Sequence, residues 1–188
     1  TIKMEIRISS FTDETGQDTE WKNFYVCTVI CLSSDQEYIE NKLIEIEKKS
    51  RKLNKWYKSN NEKRRKYIDL ILYEKIFKKC SIYYSQFQNK TEYIDLVSGH
   101  IVKSIKSYCG SSESEVKIFI DKVDNKTLNG IKKEIKLFKI KYKKIRGLND
   151  ESNSVIRLAD AACGLIRDLN NKKIPLCYKK FFSSIKEI

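Results

Sequence analysis

The chain has 188 residues, 40% of them apolar, which is enough for one hydrophobic core and short for two. Six glycines and one proline exclude collagen-like and linker-rich tracts, and no window of about 18 apolar residues is present to span a bilayer. Lys and Arg number 38 against 25 acidic residues, a formal charge of +13, so the expected partner is a polyanion, RNA or DNA, held through counterion release. A lysine-, isoleucine- and asparagine-rich composition drawn from an AT-rich genome would reach the same total by spreading lysines everywhere.

Thr1 to Ser10 alternates charged and apolar residues without the apolar run of a secretory signal, and the expectation is a cytoplasmic protein with no membrane attachment. Cysteines 27, 31, 80, 109, 163 and 177 form no Cys-x-x-Cys pair and mostly sit in apolar runs, as reduced, buried thiols do.

In chain order, Ile2, Met4, Ile6 and Ile8 alternate with Lys3, Glu5, Arg7 and Ser9, the pattern of a strand buried on one face. Phe24 to Leu32 is a continuous apolar, β-branched run, expected for a central strand covered on both faces. The two read as a hairpin joined by a polar loop containing Gly16. Ser33 or Ser34 is the expected cap of a helix carrying Ile39, Leu43 and Ile46. Leu53 to Trp56 is a candidate third strand, and Asn60 to Lys79 a second helical stretch with Lys63-Arg64-Arg65-Lys66 at its start, where cations oppose the helix dipole.

Further on, Ser81 to Phe87 reads as a strand and Thr91 to Tyr108 as a helix with an apolar stripe of Ile94, Val97, Ile101, Ile105 and Tyr108. Val116, Ile118 and Ile120 mark a strand ending at Asp121. Leu128, Ile131, Ile135 and Phe138 trace another amphipathic helix, Lys139 to Arg146 a lysine-laced strand, and the last helix begins among Asn149 to Ser154. This order predicts one α/β domain over residues 1–188, a mixed sheet with helices on its faces.

Asp13 and Asp121 lie at or just past the ends of expected strands, where side chains from neighbouring strands converge on ligands. Asp160 stands inside the last helix among Ala159, Ala161, Ala162 and Gly164, small residues that let a helix approach a sheet closely. A carboxylate in such surroundings needs a compensating cation, either a metal or a basic side chain. Oxygen donors suit Mg²⁺ or Mn²⁺, and carboxylate-bridged ions of that kind serve phosphodiester cleavage. Each acid also has an ordinary structural reading: a turn residue for Asp13, a helix cap for Asp121, a partner of Arg157 or Arg167 for Asp160.

Asp13-Glu14-Thr15-Gly16 after a strand, Phe119-Ile120-Asp121 ending another, and Ile156 to Gly164 near the C-terminus together resemble the DUF3800 family. Its pattern is an N-terminal Asp-Glu-Ser-Gly and a C-terminal Gln-Leu-Ala-Asp helix ending in a small residue and Gly. The resemblance covers nearly the whole chain, and Lys55-Trp56 resembles a further mid-chain motif. It implies an RNase H-like fold, a catalytic set of Asp13, Glu14, Asp121 and Asp160, metal ligation by Asp13, Asp121 and Asp160, and an association with antiviral defence or mobile elements. Thr15 stands for the usual Ser and keeps the hydroxyl. Arg157 stands for the usual Gln, where a cation one turn from Asp160 binds phosphate or neutralises the carboxylate.

His100 is the only histidine, so a Ser-His-Asp triad or a histidine-ligated zinc has little support, and neither a P-loop nor a dinucleotide-binding glycine motif is present. Aromatics accompany cations at Lys55-Trp56-Tyr57-Lys58, Tyr142-Lys143-Lys144 and Tyr178 to Phe182, where they stack bases or pack into the core. Lys55, Trp56, Lys122 and Arg157 are the candidate nucleic-acid contacts. Two readings follow: a Mg²⁺/Mn²⁺-dependent nuclease, or a non-catalytic nucleic-acid-binding or complex-forming subunit in which Arg157 neutralises the acidic site, with a protein partner or a second copy. Metal-dependent hydrolysis of a small phosphoester is a third.

Overall fold

The computed structural model describes residues 5–16, 23–88, 91–149, 152–169 and 175–188. Strand β1 spans Ile6–Thr15 and β2 Phe24–Leu32, followed by α1 (Gln36–Ser50), α2 (Asn61–Tyr73), β3 (Cys80–Phe87), α3 (Tyr93–Cys109), β4 (Ser114–Asp121), α4 (Asn125–Leu137), β5 (Tyr142–Leu148), α5 (Ser154–Leu169), α6 (Leu176–Phe182) and β6 (Lys186–Glu187). The strands form one sheet in the order β5-β4-β1-β2-β3-β6. β1 pairs antiparallel with β2 and β2 with β3, while β4 lies parallel to β1 and β5 parallel to β4. The expected hairpin is therefore present, although Ile2, Met4 and loop residues 17–22 lie outside the described residues.

Period-two alternation divides β2 between two cores. Tyr25, Cys27, Val29 and Cys31 face α1, α2, α5 and α6, and Phe24, Val26 and Ile30 face α3 and α4. An apolar run covered on both sides is what a central strand requires. The six cysteines are buried and free, as expected. Among the described residues no helix is long and apolar enough to cross a membrane.

Several expectations change. β1 runs through Thr15 in register with β2, pairing Asp13 with Cys27, so Asp13 and Glu14 belong to the strand and not to a turn beyond it. Helix α1 starts after Asp35, not at Ser33 or Ser34; the Ser33 N–H donates instead to the Arg7 carbonyl, which ties it to β1. Leu53 to Trp56 is not a strand: it leads into a single 3-10 turn at Trp56–Lys58. The second helical stretch stops at Tyr73 because Lys75 adopts left-handed backbone (φ 54°), and another 3-10 turn, Ile76–Lys78, leads into β3. α6 and β6, unread from the sequence, close the far edge, with β6 parallel to β3 and Glu187 accepting a 2.8 Å bond from the Tyr84 hydroxyl.

Candidate functional site

The pairing of β1 with β4 runs to Thr12 opposite Ile120. One residue further along each strand stands a carboxylate, Asp13 and Asp121, on the face that also carries Phe11 and Phe119. Adjacent strands lie about 4.8 Å apart, and the two acids are only 3% and 5% exposed. Burial first, then the charges of Glu14, Asp160 and Asp121, push the Asp13 carboxyl well above the usual carboxylate range, while Lys55 opposes them.

The third acid comes from α5, which lies across β1 and β2. Ala159, Ala161, Ala162 and Gly164 are all buried, and the Cys163 thiol donates to the Asp13 backbone carbonyl at 3.3 Å, fixing this helix against the end of β1. Asp160 sits one turn earlier, half-buried. Its Oδ2 accepts the Trp56 backbone N–H at 2.6 Å.

Trp56 explains the glycine in this helix. Asp160, Gly164 and Asp168 share one helix face at four-residue spacing, and the indole lies on it, donating Nε1–H to Asp168 Oδ2 at 2.8 Å. A Cβ at Gly164 would stand 2.2 Å from Trp56 Cδ1, so only glycine admits the ring. Arg64 completes the clasp: its Nε–H donates to the Trp56 carbonyl at 2.8 Å, its Nη1 lies 3.0 Å from Asp168, and its guanidinium stands 5.0 Å from the indole centroid.

The turn thus fixed presents Lys55, whose Nζ lies 2.8 Å from Asp121 Oδ2 with 21% of its side chain exposed. One dipeptide therefore touches three acids: Lys55 reaches Asp121 through its ammonium, and Trp56 reaches Asp160 through its amide and Asp168 through its indole. Strand alternation turns Glu14 to the α3 face, where it hydrogen bonds with Tyr93. Burial is the main reason the Glu14 carboxyl is raised to about 7; Tyr93 and Lys55 oppose the shift, and Asp121 adds to it.

The remaining expected contacts fare differently. Trp56, 1% exposed, cannot stack a base and serves to position Lys55 and Asp160. Arg157 is gripped by Glu47 of α1 through two 2.7 Å bonds and is 11% exposed, so its guanidinium joins α5 to α1 instead of facing phosphate. Lys122 is exposed directly after Asp121, with left-handed backbone (φ 36°) and its N–H donating to the Leu148 carbonyl. His100 is buried between Ser85 and Ser104, and burial drives its pKa down to about 3, so it is a neutral core residue.

Sequence reasoning missed Arg64, Asp168, Glu47, Tyr93 and Lys52. Lys52 is fully buried, donating to the Asn54 carbonyl at 3.2 Å with Nζ 4.7 Å from the Tyr67 centroid. Burial lowers its pKa, while Asp160 and Glu47 resist. The signal that could have found Asp168 is its four-residue spacing from Gly164 and Asp160, which sets all three on a common helix face.

Among the described residues no three acidic, histidine or cysteine groups already stand as a ligand set. The donor chemistry nevertheless fits a hard divalent ion: every candidate is a carboxylate, and the repulsion that raises Asp13 is the kind that a bound cation relieves. Asp121 would exchange Lys55 for that ion.

No family model and no curated protein matches the chain. Solved structures do. Ribonuclease H2 from Pyrococcus horikoshii OT3 superposes with a TM-score of 0.58 at 15% identity, covering 95% of this chain and 80% of that one. RNase HII from Archaeoglobus fulgidus, solved in complex with PCNA, gives 0.55 at 15% identity, with 86% and 72% covered. The chain has an RNase H-like fold. A mutant Bst-RNase HIII gives 0.52 at 12% identity, with 88% of this chain and 56% of that one covered. The expected fold class is thereby met, with Asp13 and Asp121 on its adjacent parallel strands β1 and β4.

Proposed function

We propose that this RNase H-like chain is a metal-dependent nuclease hydrolysing phosphodiester bonds of RNA or DNA. The observation that carries the reading is the convergence of Asp13 and Asp121, from adjacent parallel strands, with Asp160 from α5: electrostatically, Asp13 feels both other acids. Asp13, Asp121 and Asp160 would hold Mg²⁺ or Mn²⁺, which when bound activates water and neutralises phosphate charge. Glu14, on the α3 face of the same strand end, is within electrostatic reach of Asp121 and Lys55, and its carboxyl near 7 suits it to taking or giving a proton at that end of the sheet. The solved structures of this fold that bear the name ribonuclease support RNA as a substrate. The motifs at both ends of the chain support a DUF3800-type enzyme, and its place in antiviral defence or a mobile element rests on that resemblance alone.

One observation favours the second reading, a non-catalytic nucleic-acid-binding subunit: a cation already holds Asp121. That cation is Lys55 and not Arg157, which is committed to Glu47. Cleavage of labelled single- and double-stranded RNA and DNA decides between the two. Wild-type protein should cut in Mg²⁺ or Mn²⁺ and not in chelator, and folded Asp121→Asn and Asp160→Asn variants should lose at least 100-fold in rate, on the scale of a lost metal or electrostatic contact. Equal binding by all three proteins with no cleavage sinks the nuclease reading.

A further inference from the structure

The excess positive charge is not spread along the chain. Between Lys122 and Arg146 stand ten Lys and Arg residues against two acids, +8 of the total +13. This segment is α4 with edge strand β5, beside the strand that ends in Asp121.

Register sorts these cations by face. β4 and β5 pair Lys117 with Lys144, Phe119 with Arg146 and Asp121 with Leu148. Alternation therefore puts Lys117, Phe119 and Asp121 on one face of β4, and Lys144, Arg146 and Leu148 on the same face of β5. The Arg146 guanidinium stands 5.6 Å from the Phe119 centroid, which places both on that side. The helix on this face, α5, lies mainly over β1 and β2, whereas α4 packs β5 from the opposite face through Leu128, Ile131 and Ile135 near Ile145. Lys144 and Arg146 are exposed and Lys117 half-buried. Glu115, on the same face further back, faces Arg7 at 4.0 Å.

We infer that the β4–β5 face is a track for a nucleic-acid backbone leading to the carboxylate end of the sheet. Four residue steps along the strand carry Lys117 to Asp121, about 13 Å at the rise of a β-strand. Along that length Lys117 and Lys144 form one cationic step, Arg146 over Phe119 the next, and Lys122 stands just past Asp121. Phosphates need such fixed cations in a row, and the Arg146 plane can also stack a base. Lysines on an edge strand also deter edge-to-edge aggregation, but that purpose does not require them to lead to a cluster of acids. The inference rests on the proposed nuclease site only for the direction of the track.

Fluorescence anisotropy with labelled single-stranded and duplex oligonucleotides, in chelator and across a salt series, tests it. A Lys117→Gln/Lys144→Gln/Arg146→Gln variant should bind at least tenfold more weakly at 100 mM salt, with the slope of log affinity against log salt reduced by about 2 for single strands and about 3 for duplex, as three lost phosphate contacts require. The control triple Lys103→Gln/Lys106→Gln/Lys133→Gln, on α3 and α4, should change affinity less than threefold. Single Lys144→Gln and Arg146→Gln variants, both at exposed positions, provide the same reading if the triple fails to fold. Equal losses in the track and control variants would overturn the inference, as would polyglutamate competing as strongly as an oligonucleotide. Loss of binding in the track variants of a protein that never cuts supports the track and removes the nuclease reading, so the two fail separately.

Discussion

The cost of the site is concentrated in single side chains. Asp13 and Glu14 are carboxyls that burial makes reluctant to ionise, and each has another acid nearby to deepen the effect. For Glu14 the folded value of about 7 lies above the ordinary 4.5, so its contribution to stability is full below about pH 4.5 and is lost as pH rises through 7. In chelator, the melting temperature should therefore fall between pH 5 and pH 8, and Glu14→Gln should flatten that fall in thermal scans. An unchanged pH profile in the variant would contradict the assignment. Lys55 acts in the opposite sense. Lys55→Met leaves Asp121 and Asp13 without their cation, and at pH 8 should cost about 3 kcal/mol in urea denaturation. The cost should shrink at pH 5, because the raised Asp13 carboxyl takes up a proton more readily than an ordinary one as pH falls; an equal cost at both values would assign it to packing.

At the level of elements, α5 and the Trp56 turn form one device, because the helix face that presents Asp160 is also the seat of the indole. Gly164→Ala forces a methyl into the ring and should destabilise the protein by about 1–3 kcal/mol. If the clasp sets the site as well as the fold, the same variant should lose nuclease activity at temperatures where it remains folded. Trp56→Phe should lessen the penalty of Gly164→Ala in a double-mutant cycle, and strictly additive effects would show that the two positions do not press on each other. These elements also show what the sequence could reveal. Strands β1 to β5 were legible from alternation or, for β2, from a continuous β-branched run covered on both faces, and so was the end of β4 at Asp121. Trp56 was not: a tryptophan between lysines reads equally as a base platform or a core residue, and its partners Asp160, Gly164 and Asp168 lie more than a hundred positions away. Arg157 was misjudged for the same reason, since Glu47 is equally remote. α6, seven residues long, is too short to establish a period, and β6 has only two.

Across the whole molecule, the sheet divides its ends between opposite tasks. At the end formed by Thr12 to Thr15 and Asp121, acids gather under α5, while cations crowd the β4–β5 side that leads to it, so the electrostatic field draws a polyanion toward a site that by itself repels it. A divalent ion held there would resolve that opposition, and the stability of the entire fold should then report its binding. An ion that binds only the folded chain stabilises it by about 2.7 kcal/mol at one hundred times its dissociation constant, and for a domain near this size that raises the melting temperature by roughly 5–10 °C. Mn²⁺ or Mg²⁺ added to chelator-treated protein should produce that rise. Asp13→Asn should behave in the reverse way, melting higher than wild type without metal, because a buried carboxyl crowded by other acids is gone, and responding little to the ion. The contrast separates a ligand role for Asp13 from a purely structural one, since a structural Asp13 would leave the metal response of the variant intact.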